Sequence, residues 1–268
     1  GLWPLSRRKR VGLRLASLVL SPVVWITVAL LLKAAQPVLG LRFLLFAVLV
    51  QGLSIAATRL AVRIPRGNLL RDLPRLPGTL GSLVQKDLRQ MLSVLDPYIA
   101  LLLCLAASLY RLSGRPLDPE ALPVLSLLVA LALSTYSQCL FGLDLASGLA
   151  RYRLLPLRGW QILLAKDAAF LLVLFLLVLP LAPLPGLAGG LVALAIGHHA
   201  SVRMPMPQHR WRFTGGILFP TGAVQVAAMM STGIAAARQS PLYAAAALAF
   251  YLGSVWYCGR LWDRGESV

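Results

Sequence analysis

The sequence predicts an all-α membrane protein, a polytopic bundle of eight transmembrane helices with its N- and C-termini in the cytoplasm. Its composition is the first reason, because 58% of the residues are hydrophobic and 13% are charged, against about 25% charged in a soluble domain. Long apolar runs are the second. The third is that the net charge of +17 lies in short tracts between those runs. A nucleic-acid partner would require the bases on one soluble face, so we expect a lipid bilayer and no nucleic acid.

Eight apolar segments approach the roughly 20 residues that a spanning helix needs. The third is expected to begin with Asp96 as its N-cap and Pro97 in its first turn. The third and sixth segments are the short ones, and prolines mark the turn between the fifth and the sixth. The eight segments are residues 15–32, 38–57, 97–112, 121–142, 164–182, 184–199, 215–236 and 242–259.

The positions of the basic residues predict the orientation. With the N-terminus in the cytoplasm, most of the 26 Lys and Arg residues fall in cytoplasmic segments. The outer loops then hold only Lys33, Arg111, Arg115 and Arg238, and Arg42 lies inside the second span near its outer end. This is the positive-inside pattern. A different number of spans would break the alternation between basic inner segments and outer loops with few bases.

Three regions follow along the chain: an N-terminal transmembrane hairpin at 1–58, a cytoplasmic linker with an interfacial helix at 59–96, and a six-helix core at 97–268. Within the second region, residues 78–96 repeat leucines at helical spacing on one face and polar side chains on the other. Such an amphipathic helix suits the membrane interface; a helix packed on a soluble partner is the alternative. The hairpin at 1–58 weakly resembles the final hairpin of the core. Membrane transporters often contain internal repeats of this kind.

No catalytic constellation is visible in the sequence, so we expect a chain that is not itself an enzyme. It has no GxxxxGK[ST] loop for ATP phosphates and no HExxH zinc motif. Its nine acids fall mostly at membrane edges or in loops by this assignment of spans, with Asp167 the deepest, and we expect no polar cluster within the bilayer. The three cysteines lie in apolar runs and indicate no disulfide framework.

A soft-metal site is an alternative near the sixth span, where methionine and histidine side chains could act as ligands. No ligand spacing there is diagnostic, so we expect no metal and an ordinary loop at the membrane edge. The residues concerned are His198, His199, His209, Met204 and Met206.

The segment between the fourth and fifth spans carries an ordered motif: Asp144, Gly148, Leu154-Leu155-Pro156, Arg158 and Lys166. With the six spans of 97–259 and the Lys86-Asp87-Leu88-Arg89 stretch of the interfacial helix, it resembles the membrane subunits of ABC-2 type exporters. Two features depart from that family: Ala165 stands where a glycine is frequent, and the hairpin at 15–57 is extra. An N-terminally truncated two-half permease, with that hairpin as the remnant of a preceding half, would explain it.

The resemblance implies a permease in a bacterial inner membrane, driven by a separate ATP-binding subunit, with a second permease half or a second copy as partner. ATP would be used by that subunit, and no cofactor is expected in this chain. A short cytoplasmic helix would dock on the ATPase through segment 144–160. The implied coupling residues are Asp144, Gly148, Arg151, Tyr152, Pro156, Arg158 and Lys166, and those of the interfacial helix are Lys86, Asp87 and Arg89.

The side chains of this segment also have roles that their own chemistry predicts. Asp144 can cap the short helix, Arg151 and Arg158 can reach acidic partner groups or lipid phosphates, and Pro156 ends the helix. Tyr152 shares a helical face with Leu145 and Leu149. Three alternatives stay open: a loop that only orients the protein, a membrane-embedded enzyme acting on lipid, which would need a polar cluster within the bilayer, and a non-ATP carrier or channel.

Overall fold

The computed structural model describes residues 78–112, 118–203, 205–214 and 221–265. These belong to the second of two units into which the chain divides, Pro74–Val268. The predicted hairpin at 1–58, with its spans 15–32 and 38–57, and the linker up to residue 77 lie outside the described residues.

The described residues form helices and connecting turns, with no strand among them, as the sequence predicts. Two long helices are apolar enough to cross a membrane, Gly159–Val178 and Leu242–Asp263, and the bent pair formed by the first two helices passes the same test when taken together. The described part of the chain contains eight helices, which are not the same set as the eight predicted spans: α1 (Gly78–Met91), α2 (Asp96–Leu112), α3 (Ala121–Ser137), α4 (Leu145–Arg153), α5 (Gly159–Val178), α6 (Pro183–Arg203), α7 (Thr221–Arg238) and α8 (Leu242–Asp263).

The expected interfacial helix is α1, and it is shorter than the predicted 78–96. It ends at Met91, and a turn at residues 92–95 bends the chain by 77° into α2. Asp96 holds this turn in place, since its carboxylate accepts hydrogen bonds from the Thr214 backbone N–H at 3.0 Å and from Thr135 Oγ1 at 3.1 Å. The acid therefore links three separate segments at the bend.

Helix α5 corresponds to the fifth predicted span, 164–182. It begins at Gly159, five residues before the predicted start. The Arg158 backbone N–H donates to Gln161 Oε1 at 2.9 Å, which fixes the first turn as a side chain at N3 does in a capping box. Gly159 N donates to Asp263 Oδ1 at 2.7 Å. The start of α5 is thus attached to the end of α8.

Helix α6 is the centre of the bundle and packs against α3, α5, α7 and α8. Small residues permit this close packing. A Cβ atom added at Gly197 would lie 2.6 Å from the Ser137 carbonyl oxygen, and one added at Gly189 would lie 2.8 Å from Leu127. The backbones of α3 and α6 therefore approach more closely than larger residues would allow.

The connections lie at two opposite ends of the bundle. One end holds the α1–α2 bend, helix α4 and residues 205–214, and hydrogen bonds join these parts, among them Leu95 N to Arg212 O and Gln208 N to Gly142 O. The other end is joined by Arg111 to Pro180 O, Ser126 to Ala182 O and Arg238 to Glu120. Helix α4 therefore lies at the same end of the bundle as the α1–α2 bend.

Candidate functional site: a buried ion-pair cluster

Two lysines and two aspartates meet where α1, α4 and α5 come together. We call this group, with its hydrogen-bonding neighbours Gln90 and Tyr152, the ion-pair cluster. Helix α1 supplies a lysine, an aspartate and a glutamine, α4 supplies the aspartate at its N-cap position and a tyrosine near its end, and the eighth residue of α5 is the buried lysine. Its members are Lys86, Asp87, Gln90, Asp144, Tyr152 and Lys166.

Asp144 is the centre of the cluster. Its Oδ1 accepts hydrogen bonds from Lys86 Nζ at 2.5 Å and from Gln90 Nε2 at 2.8 Å. Its Oδ2 accepts from Lys166 Nζ at 2.7 Å and from Tyr152 Oη at 3.1 Å. One carboxylate therefore binds residues of α1, α4 and α5 at the same time.

Lys166 is the least exposed cation of the cluster, with 1% of its surface accessible. Besides Asp144, its ammonium contacts Asp87 Oδ1 at 3.1 Å. The rings of Phe141 and Tyr152 lie 4.8 Å and 5.3 Å from Nζ, within the range of a cation–π interaction. Such a desolvated lysine is tolerated because two carboxylates compensate its charge.

The electrostatics of the cluster keep Asp144 ionised. Burial raises the pKa of this carboxyl, but the charge of Lys166 and hydrogen bonds from Lys166, Lys86 and Gln90 outweigh burial and lower the pKa to about 2. For Asp87 burial is the larger effect, and it raises the pKa although Lys166 and Lys86 act in the opposite direction. Burial and the two nearby aspartates raise the pKa of the Tyr152 hydroxyl far above its usual range, so it stays a hydrogen-bond donor.

A groove of about 380 Å³ opens over the cluster, between α1 and α4. Its walls combine apolar side chains of both helices with the exposed guanidinium of Arg151. The lining residues are Leu83, Lys86, Gln90, Leu143, Asp144, Gly148, Arg151, Tyr152 and Leu155. An amphipathic surface of this kind can contact a partner that offers apolar and acidic side chains together.

The structure brings together five of the residues that the sequence singles out: Lys86, Asp87, Asp144, Tyr152 and Lys166. Gly148 lies beside them, because a Cβ atom there would be 3.1 Å from Asp144 Cβ, and Arg151 lines the groove. The remaining predicted residues, Arg89, Pro156 and Arg158, are exposed and lie outside the cluster.

The predicted capping role of Asp144 is wrong. Asp144 stands at the N-cap position of α4 but makes no side-chain cap hydrogen bond, because both of its oxygens are bound by the cluster. The sequence reasoning also missed Gln90 and Phe141. The position of Gln90, one turn after Lys86 on the polar face of α1, is the signal that could have revealed it.

A second set of polar side chains meets inside the bundle. Its presence contradicts the expectation that polar side chains do not cluster there. His198 Nε2 lies 3.0 Å and 3.1 Å from the two carboxylate oxygens of Asp167. Tyr251 Oη donates to Asp167 Oδ2 at 2.9 Å, and His198 Nδ1 lies 3.0 Å from Ser254 Oγ. We call these four residues, from α5, α6 and α8, the Asp–His cluster.

The sequence pattern did not predict this cluster, because its members lie far apart along the chain, with one or two in each apolar helix. Of the histidines considered for a metal, His198 faces Asp167 while His199 and His209 are exposed. Among the described residues, no three or more His, Cys, Asp or Glu side chains are grouped as metal ligands; Met204 lies outside them.

Comparison of the chain with models of protein families, with curated proteins and with solved structures finds no match. The geometry of the two clusters therefore supplies the functional argument.

Proposed function

We propose that the chain is the membrane permease subunit of an ABC-2 type export system in a bacterial inner membrane. A separate ATP-binding subunit docks on segment 144–160 and drives transport, and a second permease half or a second copy completes the pathway. The proposal includes eight transmembrane helices with both termini in the cytoplasm.

The ion-pair cluster is the observation that carries this proposal. Helix α4 is short and exposed on one side, with Arg151 and Leu154 facing outward. On its other side, Asp144 and Tyr152 bind Lys86 of α1 and Lys166 of α5. A displacement of α4 by a partner would therefore act directly on the interfacial helix and on an apolar helix, as coupling requires.

The distribution of charge supports the proposed orientation. The end of the bundle that holds α1 and α4 also carries most bases of the described residues, including Arg89, Arg153, Arg203, Arg212 and Arg264. The opposite end has Arg111 and Arg238, with Asp118 and Glu120 beside them. By the positive-inside rule, the end with α4 is cytoplasmic, where an ATPase is available.

Co-purification under mild detergent, followed by an ATPase assay, tests the proposal. The chain alone should hydrolyse no ATP, and a P-loop ATPase should accompany it. Arg151→Glu should weaken the complex by at least tenfold, because the substitution reverses a charge on the docking surface. Arg238→Glu, on the opposite end, is the matched control and should leave the affinity unchanged. An Arg151→Glu complex as tight as the wild-type complex contradicts docking at α4.

The Asp–His cluster bears on the alternative of a membrane-embedded enzyme acting on lipid, because it contains the residue types of a Ser-His-Asp triad. The direction of its hydrogen bonds does not fit a catalytic triad. Ser254 Oγ donates to the Ala195 carbonyl at 2.7 Å, whereas an activated nucleophile would donate to the histidine. His198 and Asp167 have no accessible surface. This arrangement joins helices and lends the enzyme alternative no support.

A further inference from the structure

The connection between α6 and α7 carries basic and aromatic side chains in alternation. Residues 209–213 read His-Arg-Trp-Arg-Phe, and all five are exposed. Trp211 is 64% exposed and Phe213 is 53% exposed. Side chains that combine an apolar body with a polar tip, as Trp and Arg do, suit a boundary between apolar and aqueous surroundings. We call residues 209–213 the aromatic–arginine loop.

The backbone of this loop is held in a strained conformation at Trp211. Its φ is 60°, and no other non-glycine residue of the described chain has a positive φ; a bulky side chain rarely adopts this region. The Trp211 backbone N–H donates to Ser93 O at 2.6 Å, and the Arg212 carbonyl accepts from Leu95 N at 3.1 Å. Strain of this kind persists where the surrounding structure enforces it, and here the α1–α2 bend does so.

The Trp211 ring lies at the end of an apolar surface. It stacks on the ring of Tyr98, with the two centroids 6.3 Å apart, and Tyr98 belongs to the first turn of α2. From there the helix has no charged residue before Arg111. Its exposed side chains are large and apolar, among them Leu102, Leu105 and Leu109. Trp and Tyr are enriched where such a lipid-facing surface meets the headgroups, so the stacked pair marks that level.

Two guanidinium groups flank Trp211 without a carboxylate to neutralise them. In the part of the chain that the structure describes, neither Arg210 nor Arg212 forms an ion pair. The sequence has no acid between Asp167 and Asp263. A guanidinium group binds phosphate oxygens in a bidentate manner, and each base near an anionic membrane surface strengthens binding about fivefold. A phosphate at the level of the headgroups therefore complements this loop.

We propose that the aromatic–arginine loop is a binding site for anionic phospholipid. Arg210 and Arg212 contact the phosphate group, while Trp211 and Tyr98 lie among the headgroups beside the acyl chains. An acidic protein could meet the same bases, but the stacked rings next to the exposed leucines of α2 favour lipid. The bound lipid holds the α1–α2 bend at the membrane surface. This site is separate from docking at α4 and does not require an ATPase.

Fluorescence quenching by brominated lipids tests the site. The purified full chain is placed in phosphatidylcholine nanodiscs with increasing fractions of phosphatidylglycerol that carries brominated acyl chains, and a parallel series uses brominated phosphatidylcholine. The chain has six tryptophans, so the Trp211 signal is the difference between the wild-type chain and Trp211→Phe. We expect half-maximal quenching of Trp211 at a phosphatidylglycerol fraction at least about fivefold lower than the phosphatidylcholine fraction. Both leaflets have the same lipids, so the result does not depend on orientation.

Two double variants assign the selectivity to the loop. Arg210→Gln/Arg212→Gln removes both charges but leaves the backbone hydrogen bonds of the loop, and it should bring quenching by phosphatidylglycerol to the level of phosphatidylcholine. Arg111→Gln/Arg238→Gln removes two bases at the opposite end of the bundle and should keep the selectivity. Circular dichroism verifies that both variants remain folded.

Equal quenching of Trp211 by the two brominated lipids overturns the proposal, as does selectivity that survives in Arg210→Gln/Arg212→Gln. A Trp211 that acrylamide quenches from water but neither lipid quenches would place the loop outside the membrane surface. A Trp211 reached by neither lipid nor acrylamide would show a protein contact in place of lipid. All of these results leave the proposed docking at α4 unaffected, because no ATPase is present.

Discussion

Replacing Lys166 by methionine removes the buried cation of the ion-pair cluster while keeping most of the side-chain volume. The ammonium lies 2.7 Å from Asp144 Oδ2 and 3.1 Å from Asp87 Oδ1. At an effective dielectric constant of about 20, each contact corresponds to roughly 5–6 kcal/mol of gross attraction, most of which offsets desolvation. The net loss on breaking a buried pair is typically about 3–5 kcal/mol, and here Asp87 and Asp144 would keep only the partly exposed Lys86 as a cation nearby.

We therefore expect Lys166→Met to lower the free energy of unfolding by about 3–5 kcal/mol. Reversible unfolding in mixed micelles with increasing SDS, followed by circular dichroism, measures the loss. Arg238→Met is the matched control, since its partner Glu120 and Arg238 itself are largely exposed, and such pairs contribute at most about 1 kcal/mol. The double variant Lys166→Met/Asp144→Asn should lose less than the sum of the two single losses.

A loss for Lys166→Met no larger than that of the control would refute the reasoning. It would mean that water reaches the ammonium, or that the cluster is not closed as the distances indicate. Strict additivity in the double variant would show that Lys166 and Asp144 do not interact in the folded chain.

Two other substitutions test separate parts of the structure. Because the pKa of Asp144 falls from 3.8 to about 2 on folding, its ionised form stabilises the chain by about 2 kcal/mol above pH 3.8, and this stabilisation is lost as the pH falls toward 2. Acid titration of the unfolding free energy should show this loss in the wild-type chain, and Asp144→Asn should lack it; equal acid profiles would contradict the assignment. Gly259→Ala should cost about 1–3 kcal/mol, because its Cβ would lie 2.6 Å from Trp160 N. Gly253→Ala on the same helix meets nothing within 4 Å and should be neutral or slightly stabilising; a similar cost at both positions would argue against the close contact of α5 with α8.

The apolar pattern predicts most helices of the described chain well, because each segment has a long run of hydrophobic residues between polar turns. Their ends are less predictable. Helix α5 begins before its apolar run, since Gln161 fixes its first turn, and α1 stops at Met91 although leucines continue. Bonds to residues distant in sequence add to this: Gly159 N donates to Asp263, and Leu95 N beyond the end of α1 donates to Arg212 O. Periodicity holds no information about such contacts.

The two clusters differ in how far the sequence predicts them. Asp144 and Lys166 were expected in one functional set because both belong to the motif that resembles ABC-2 exporters. Their direct contact at 2.7 Å depends on tertiary packing, which the motif does not describe. The Asp–His cluster was missed, because Asp167 and His198 each look like an isolated polar residue in an apolar helix. Only the packing of α5 against α6 and α8 shows that their side chains contact each other.

Site-specific photocrosslinking tests the docking of an ATP-binding subunit at α4 most directly. A photoreactive amino acid replaces Arg151 in one variant and Arg238 in another, each in the full chain within membranes of the cells that naturally make it. We predict that position 151 crosslinks to a protein that mass spectrometry identifies by a GxxxxGK[ST] loop, that ATP analogues change the yield, and that position 238 does not. Absence of an ATPase among the crosslinks from position 151, with crosslinks to lipid alone, would contradict the proposed function.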